Sequence, residues 1–202
     1  MPPETKETPA VAAETVEALK KRLISELIVR EGPYVNHPSD RGGKTTWGLT
    51  EAVARYYGWS RPMEELTQAF AAAVYDKRYF TGPGLEAIVP LSPRIAEELF
   101  DTGVNMGTVR ASRFLQRALN LLNRRGKDYP DIAVDGRAGQ ETAGALQAYL
   151  RRNPSYGELV LMRALEGQQI AHYMFLAEKQ RTQEDFLNGW LLNRVTLEMP
   201  RD

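Results

Sequence analysis

The sequence predicts a mainly α-helical protein, and three observations carry that expectation. Apolar residues recur at three- and four-residue spacing in one segment after another, capping residues precede those segments, and no run alternates well enough for a strand outside one Gly-rich loop. Val16, Leu19, Leu23 and Leu27, with Ile24 and Ile28, set a first helix from about Thr15 to Arg30, with Glu31 on its last turn and Gly32-Pro33 as its stop. The polar loop that follows, with Gly42-Gly43, holds at most a short extended piece or small hairpin. Thr50 can cap a helix over Glu51 to Tyr57 that ends at Gly58, and Thr67 can cap one reaching Tyr79. Phe80 to Gly84 reads as a loop.

Ser92-Pro93 pairs an N-cap with proline at the first helical position and opens a helix to Asp101, after which Gly103 and Gly107 bracket a turn. The next helix buries Phe114, Leu115, Ala118, Leu119 and Leu122 and gathers Arg110, Arg113 and Arg117 on another face, read as a solvated basic face. Val134 to Thr142 is a Gly-supported turn between two helices, with Asp135 tying it and Thr142 near the next helix start. Two last helices, about 155–179 and 183–195, complete one compact body of about seven to nine helices, with Trp190 as a core anchor.

At 202 residues, 43% hydrophobic, the chain can bury a substantial core and forms one domain or two closely packed ones. Its formal net charge of zero gives no electrostatic footprint of a nucleic-acid binder, and no apolar run approaches the length of a membrane span. With no cysteine, stability owes nothing to disulfides, and the redox compartment stays open. His37, a loop-surface residue, and His172, inside a helical pattern, are the two histidines, so a zinc site lacks ligands. The turn at Asp135 lacks the alternating oxygens of a calcium loop. No metal or cofactor is expected. Residues 1–14, rich in Pro, Glu, Thr and Ala, read as a disordered tail and not as a secretory signal peptide.

Glu31 is the candidate for the chemistry, although by itself a glutamate at a helix end reads first as a solvated, inert side chain. A carboxyl group on the last turn of a helix faces unsatisfied carbonyls and the negative end of the dipole, which disfavours its ionised form. The apolar helix face adds desolvation, while an inward-turned Arg30 would pull the other way. A protonated carboxyl is what a leaving glycosidic oxygen requires of its proton donor. Asp40, within Pro38-Ser39-Asp40-Arg41-Gly42, suits a turn cap as well as a second catalytic carboxylate.

Glu31-Gly32-Pro33-Tyr34, Asp40, Gly42-Gly43-Lys44-Thr45 and Trp47-Gly48-Leu49-Thr50 together resemble the signature of glycoside hydrolase family 108, the bacterial and phage N-acetylmuramidases. Pro33, His37 and Arg41 depart from that pattern. The resemblance implies a lysozyme-like helical fold and cleavage of the β-1,4 bond between N-acetylmuramic acid and N-acetylglucosamine in peptidoglycan, with Glu31 as general acid. The spacing of Glu31, Asp40, Thr46 and Gly48 is also similar to the active site of phage-type lysozymes, which implies that Asp40 and Thr46 hold the attacking water or balance oxocarbenium charge. The family pattern selects Thr45 instead, so both hydroxyls stand as candidates.

Tyr34 and Trp47, flanking the acid, are sugar-stacking candidates. The run Asp101 to Gly107 resembles an Asp-x-x-x-Asn-x-Gly stretch of the same family and makes Asn105 a sugar contact. Leu115-Gln116 with Asp135-Gly136 and Thr142 resembles helical peptidoglycan-binding modules. The organisation implied is a tail over 1–14, a lysozyme-like catalytic region over 15–95 and a peptidoglycan-binding region over 96–202, in a monomer whose partner is the peptidoglycan glycan strand. Such a chain is made in the cytoplasm and reaches the wall through a holin-type lesion or another release, as phage endolysins do. Two alternatives stand beside this reading: a lytic transglycosylase, which needs the acid but no hydrolytic water, and a non-catalytic peptidoglycan-binding or phage structural protein.

Overall fold

The computed structural model describes residues 14–32 and 45–195, so Tyr34, His37 and Asp40 lie outside the described residues. Helix α1 (Val16–Glu31) starts where Thr15 accepts a hydrogen bond from the Ala18 amide, and it buries Leu19, Leu23, Ile24, Leu27 and Ile28. It stops at Gly32, whose φ of 75° lets its N–H turn back to the Ile28 carbonyl. The expected extended piece is an antiparallel hairpin of β1 (Thr45–Thr46) and β2 (Leu49–Thr50), in which Thr45 faces Thr50 and Thr46 faces Leu49.

Helix α2 (Glu51–Tyr56), capped by Thr50, and α3 (Gln68–Tyr75), capped by Thr67, begin where the sequence placed them. The α3 segment, however, ends as a π-helix over Asp76–Thr81, so Phe80 and Thr81 are not a loop. The wider turn brings Tyr79 and Phe80 both onto Phe100, with ring centroids 6.4 and 6.5 Å away.

Helix α4 (Pro93–Met106) starts at its Ser92 cap but runs past the expected stop at Asp101 to Gly107, which adopts φ 90°. Gly103 lies inside this helix because α5 (Thr108–Leu122) folds back on it; a Cβ on Gly103 would stand 3.2 Å from the Thr108 methyl carbon. Helix α6 (Gln140–Arg152) follows the Asp135 turn. The long α7 (Gly157–Lys179) packs on both α4 and α5, and α8 (Glu184–Arg194) lies over its end without a buried residue. Trp190 is thus no core anchor: it stays half-buried, stacked on Tyr173 at 4.9 Å.

The eight α-helices among the described residues form a mainly α body with one continuous apolar core running from Leu19 on α1 to Leu165 on α7. Two polar ties cross it. Arg22 on α1 bonds Glu97 on α4, and Asp101 on α4 accepts both Arg30 from α1 and Arg194 from α8. None of the described helices is long and apolar enough to cross a membrane.

Candidate active site

The last turn of α1 meets the β1–β2 hairpin at Glu31. The hairpin loop is two residues long, and both Trp47 (φ 51°) and Gly48 (φ 74°) take positive φ, the backbone of a type I′ turn. Glycine accepts that conformation freely, but tryptophan pays for it, so the turn persists because its surroundings hold it. The Trp47 indole N–H donates to the Leu66 carbonyl at 2.9 Å, and the Tyr75 hydroxyl donates to the Trp47 carbonyl at 2.7 Å. Gly48 then presses on the acid itself: a Cβ there would sit 2.7 Å from Glu31 Cγ and 2.3 Å from the Tyr75 hydroxyl.

Glu31 is exposed at this junction, with its aliphatic stem against the turn. Two phenols stand behind it. Tyr75 is pushed well above the ordinary phenol range, first by burial and then by the charge of Glu31. Tyr79 is raised by burial as well, with Arg78 partly offsetting it and Glu31 adding. Both phenols therefore stay protonated near neutral pH. The neighbouring Arg30 reaches the Asp101 carboxylate at 3.4 Å.

The two threonines are placed differently. Thr46 is 2% exposed and donates its hydroxyl to the Met63 carbonyl at 2.9 Å, so it pins the hairpin to the 3₁₀ turn at Met63–Glu65. Thr45 alternates to the other face and is half-buried, opposite Thr50. The hairpin thus carries Thr45, Thr46 and Trp47 and meets Glu31 through Gly48 in its turn. Asn105 does not join them directly. Its amide donates to the Asp101 carbonyl and carboxylate, the same carboxylate that takes Arg30. No group of three or more His, Asp or Glu among the described residues gathers to hold a metal.

Tyr75 and Tyr79 escaped the sequence reading. They stand four residues apart on an apolar segment, a spacing that core residues share, and nothing local connects them with the end of α1.

Residues 24–107 match a family model described as glycosyl hydrolase 108, and residues 110–195 match one described as "Predicted Peptidoglycan domain". Residues 24–107 thus form a glycosyl hydrolase 108 region, followed by a peptidoglycan domain. The pairing of this hydrolase with a peptidoglycan domain makes it a glycoside hydrolase acting on peptidoglycan. A solved structure, that of Brucella abortus SagA, is similar over 88% of this chain and 90% of that chain, at 21% identity and a TM-score of 0.61, which shows a shared fold. No match is found among curated proteins.

The family 108 model ends at residue 107, where α4 gives way to α5. In the following half, Gln116 is 1% exposed and donates to Asp135 Oδ1, the Arg137 carbonyl and Thr142 Oγ1, while its own oxygen accepts the Gly136 amide. The Leu-Gln and Asp-Gly residues of the family-like pattern thus form one lock between α5 and the turn before α6. Hydrogen bonds to Gln116 and the Arg137 amide hold the Asp135 carboxyl below its ordinary range.

Proposed function

We propose that this peptidoglycan hydrolase is an N-acetylmuramidase in which Glu31 protonates the glycosidic oxygen between N-acetylmuramic acid and N-acetylglucosamine. The observation that carries the reading is the seat of Glu31: a carboxyl at the end of a helix, its stem wedged against a strained hairpin turn and backed by two phenols. A side chain held in that way is preorganised for proton transfer, while its exposed end can meet a polymer from solvent. Asp40 positions water or balances the developing charge on the opposite face of the sugar. Of the two hydroxyls, the commitment of Thr46 to the Met63 carbonyl supports Thr45 as the one that assists. Tyr34 and Trp47 stack on sugar rings, and Asn105 contacts the glycan further along.

Reducing-end release from purified peptidoglycan, followed by mass analysis of the fragments, tests this. Wild type is expected to yield fragments ending in reducing N-acetylmuramic acid, and Glu31→Gln to lose at least roughly 100-fold in rate with an unchanged melting temperature. Anhydro products would make the protein a lytic transglycosylase, and full activity in Glu31→Gln would end the assignment of the acid.

A further inference from the structure

Away from Glu31, the arginine face of α5 is exposed, as its sequence pattern predicts, and it borders a hollow. Arg110, Arg113 and Arg117 line a groove of about 580 Å³ together with Val109, Phe114 and, from α7, His172. A second hollow of about 310 Å³ adjoins it, shares Met106, Arg110 and His172, and runs past Trp190 to Asn105 and Arg194. No aspartate or glutamate lines either hollow among the described residues. Nor does any of the three α5 arginines form an ion pair there among the described residues, although Arg22 and Arg30 of α1 and Arg94 of α4 each find a carboxylate. In a chain of zero formal net charge, this is a local excess of cationic donors.

We infer that this groove binds the carboxylates of the peptidoglycan stem peptide, with Arg113 and Arg117 as the principal contacts and the apolar floor at Val109 and Phe114 taking the peptide's alkyl groups. Guanidinium groups match carboxylates with paired N–H donors, and an unpaired set of them in a concave surface is poised for an anion. Position favours the stem peptide over other anions. Asn105, the residue proposed above to meet the glycan, lines the adjoining hollow, so a peptide hanging from a muramic acid bound there lies within reach of the arginine groove.

His172 supplies an internal reporter. Burial, and secondly the charge of Arg110, hold its imidazole below the ordinary histidine range. The charged groups that line the two hollows with it are Arg110, Arg113 and Arg117 from α5 and Arg194 from α8. A bound carboxylate offsets that positive field and brings the imidazole back up.

The inference rests on the chain being a peptidoglycan hydrolase but not on its catalytic step, so binding is measured in full-length Glu31→Gln protein. The probe is a synthetic L-Ala-γ-D-Glu-diaminopimelate-D-Ala tetrapeptide, compared with the same peptide with its carboxylates amidated and with inorganic phosphate. The tetrapeptide is expected to shift the His172 resonances and raise the pH midpoint of the imidazole. Arg113→Gln with Arg117→Gln is expected to weaken binding at least tenfold while leaving the melting temperature in place. Equal binding of the amidated peptide, equal binding of phosphate, or unchanged affinity in the double variant would overturn it. A second double variant, Arg151→Gln with Arg163→Gln, removes the same charge elsewhere, and an equal loss there would reduce the effect to net charge.

Discussion

Gly48 is the residue on which the site geometry turns. It is the one position where a positive φ, the Tyr75 hydroxyl and the stem of Glu31 converge, so even a methyl group has nowhere to go. Gly48→Ala must push Glu31 or Tyr75 aside, in addition to a backbone cost of roughly 1–3 kcal/mol for the left-handed conformation. We expect a lower melting temperature together with a fall in reducing-end release larger than the stability change explains; unchanged hydrolysis would show that the turn does not position the acid. The glycine itself was legible in the sequence, as part of the Trp-Gly-Leu-Thr motif, and so was Glu31 from the periodicity of α1. The reason for the glycine was not legible, because Tyr75 comes from a distant helix and only the folded chain brings it to the turn. The different settings of Thr45 and Thr46 were hidden likewise, since they depend on which face of a two-residue strand meets Met63.

Among the elements, the lock at Gln116 shows how the second half keeps its shape without disulfide or metal. One buried amide satisfies two side chains, a carbonyl and an amide N–H from the 135–142 turn, and that turn is also tied to the first half where the Ala138 amide donates to the Pro83 carbonyl. Gln116→Leu keeps the volume but strands those partners, at a cost of roughly 2–4 kcal/mol. The expected outcome is a melting temperature lower by roughly 5–10 °C and faster amide exchange at Gly136 and Arg137, read by thermal unfolding and hydrogen exchange. Slow exchange in the variant would show that the turn holds itself. The starts of α2, α3 and α4 were read well because Thr50, Thr67 and Ser92 are local signals that act within one turn. Helix ends were read less well: Gly103 resembles a break in sequence, yet it stays helical because its missing side chain admits α5. The π-helix after Tyr75 has no local signature at all.

Across the whole molecule, the two halves meet through a buried polar seam between α4 and α7. Thr102 donates to Glu98 at 3.0 Å, and Gln169 from α7 donates to Thr102 at 2.7 Å and to Glu98 at 3.5 Å; Glu166 is buried on the same helix. Burial raises Glu98 to about 7, the charges of Asp101, Glu166 and Glu97 add to the shift, and the Thr102 hydrogen bond opposes it. In sequence Glu98 is an ordinary glutamate on a helix, and its burial follows only from α7 crossing α4. The folded protein holds this proton up to about 7, whereas the unfolded chain releases it near its ordinary value of 4.5. Between those two values the folded state binds more protons, so its stability falls as pH rises and then levels off. The full difference is on the order of 3 kcal/mol, taken over a seam that joins the hydrolase half to the peptidoglycan-binding half. We therefore expect wild type to lose stability relative to Glu98→Gln as the pH is raised from 5 to 7.5, measured as the gap between their denaturation midpoints. A gap that stays constant over that range, or that moves in favour of wild type, would show that Glu98 is ionised within the fold and that the seam is not sensitive to protons.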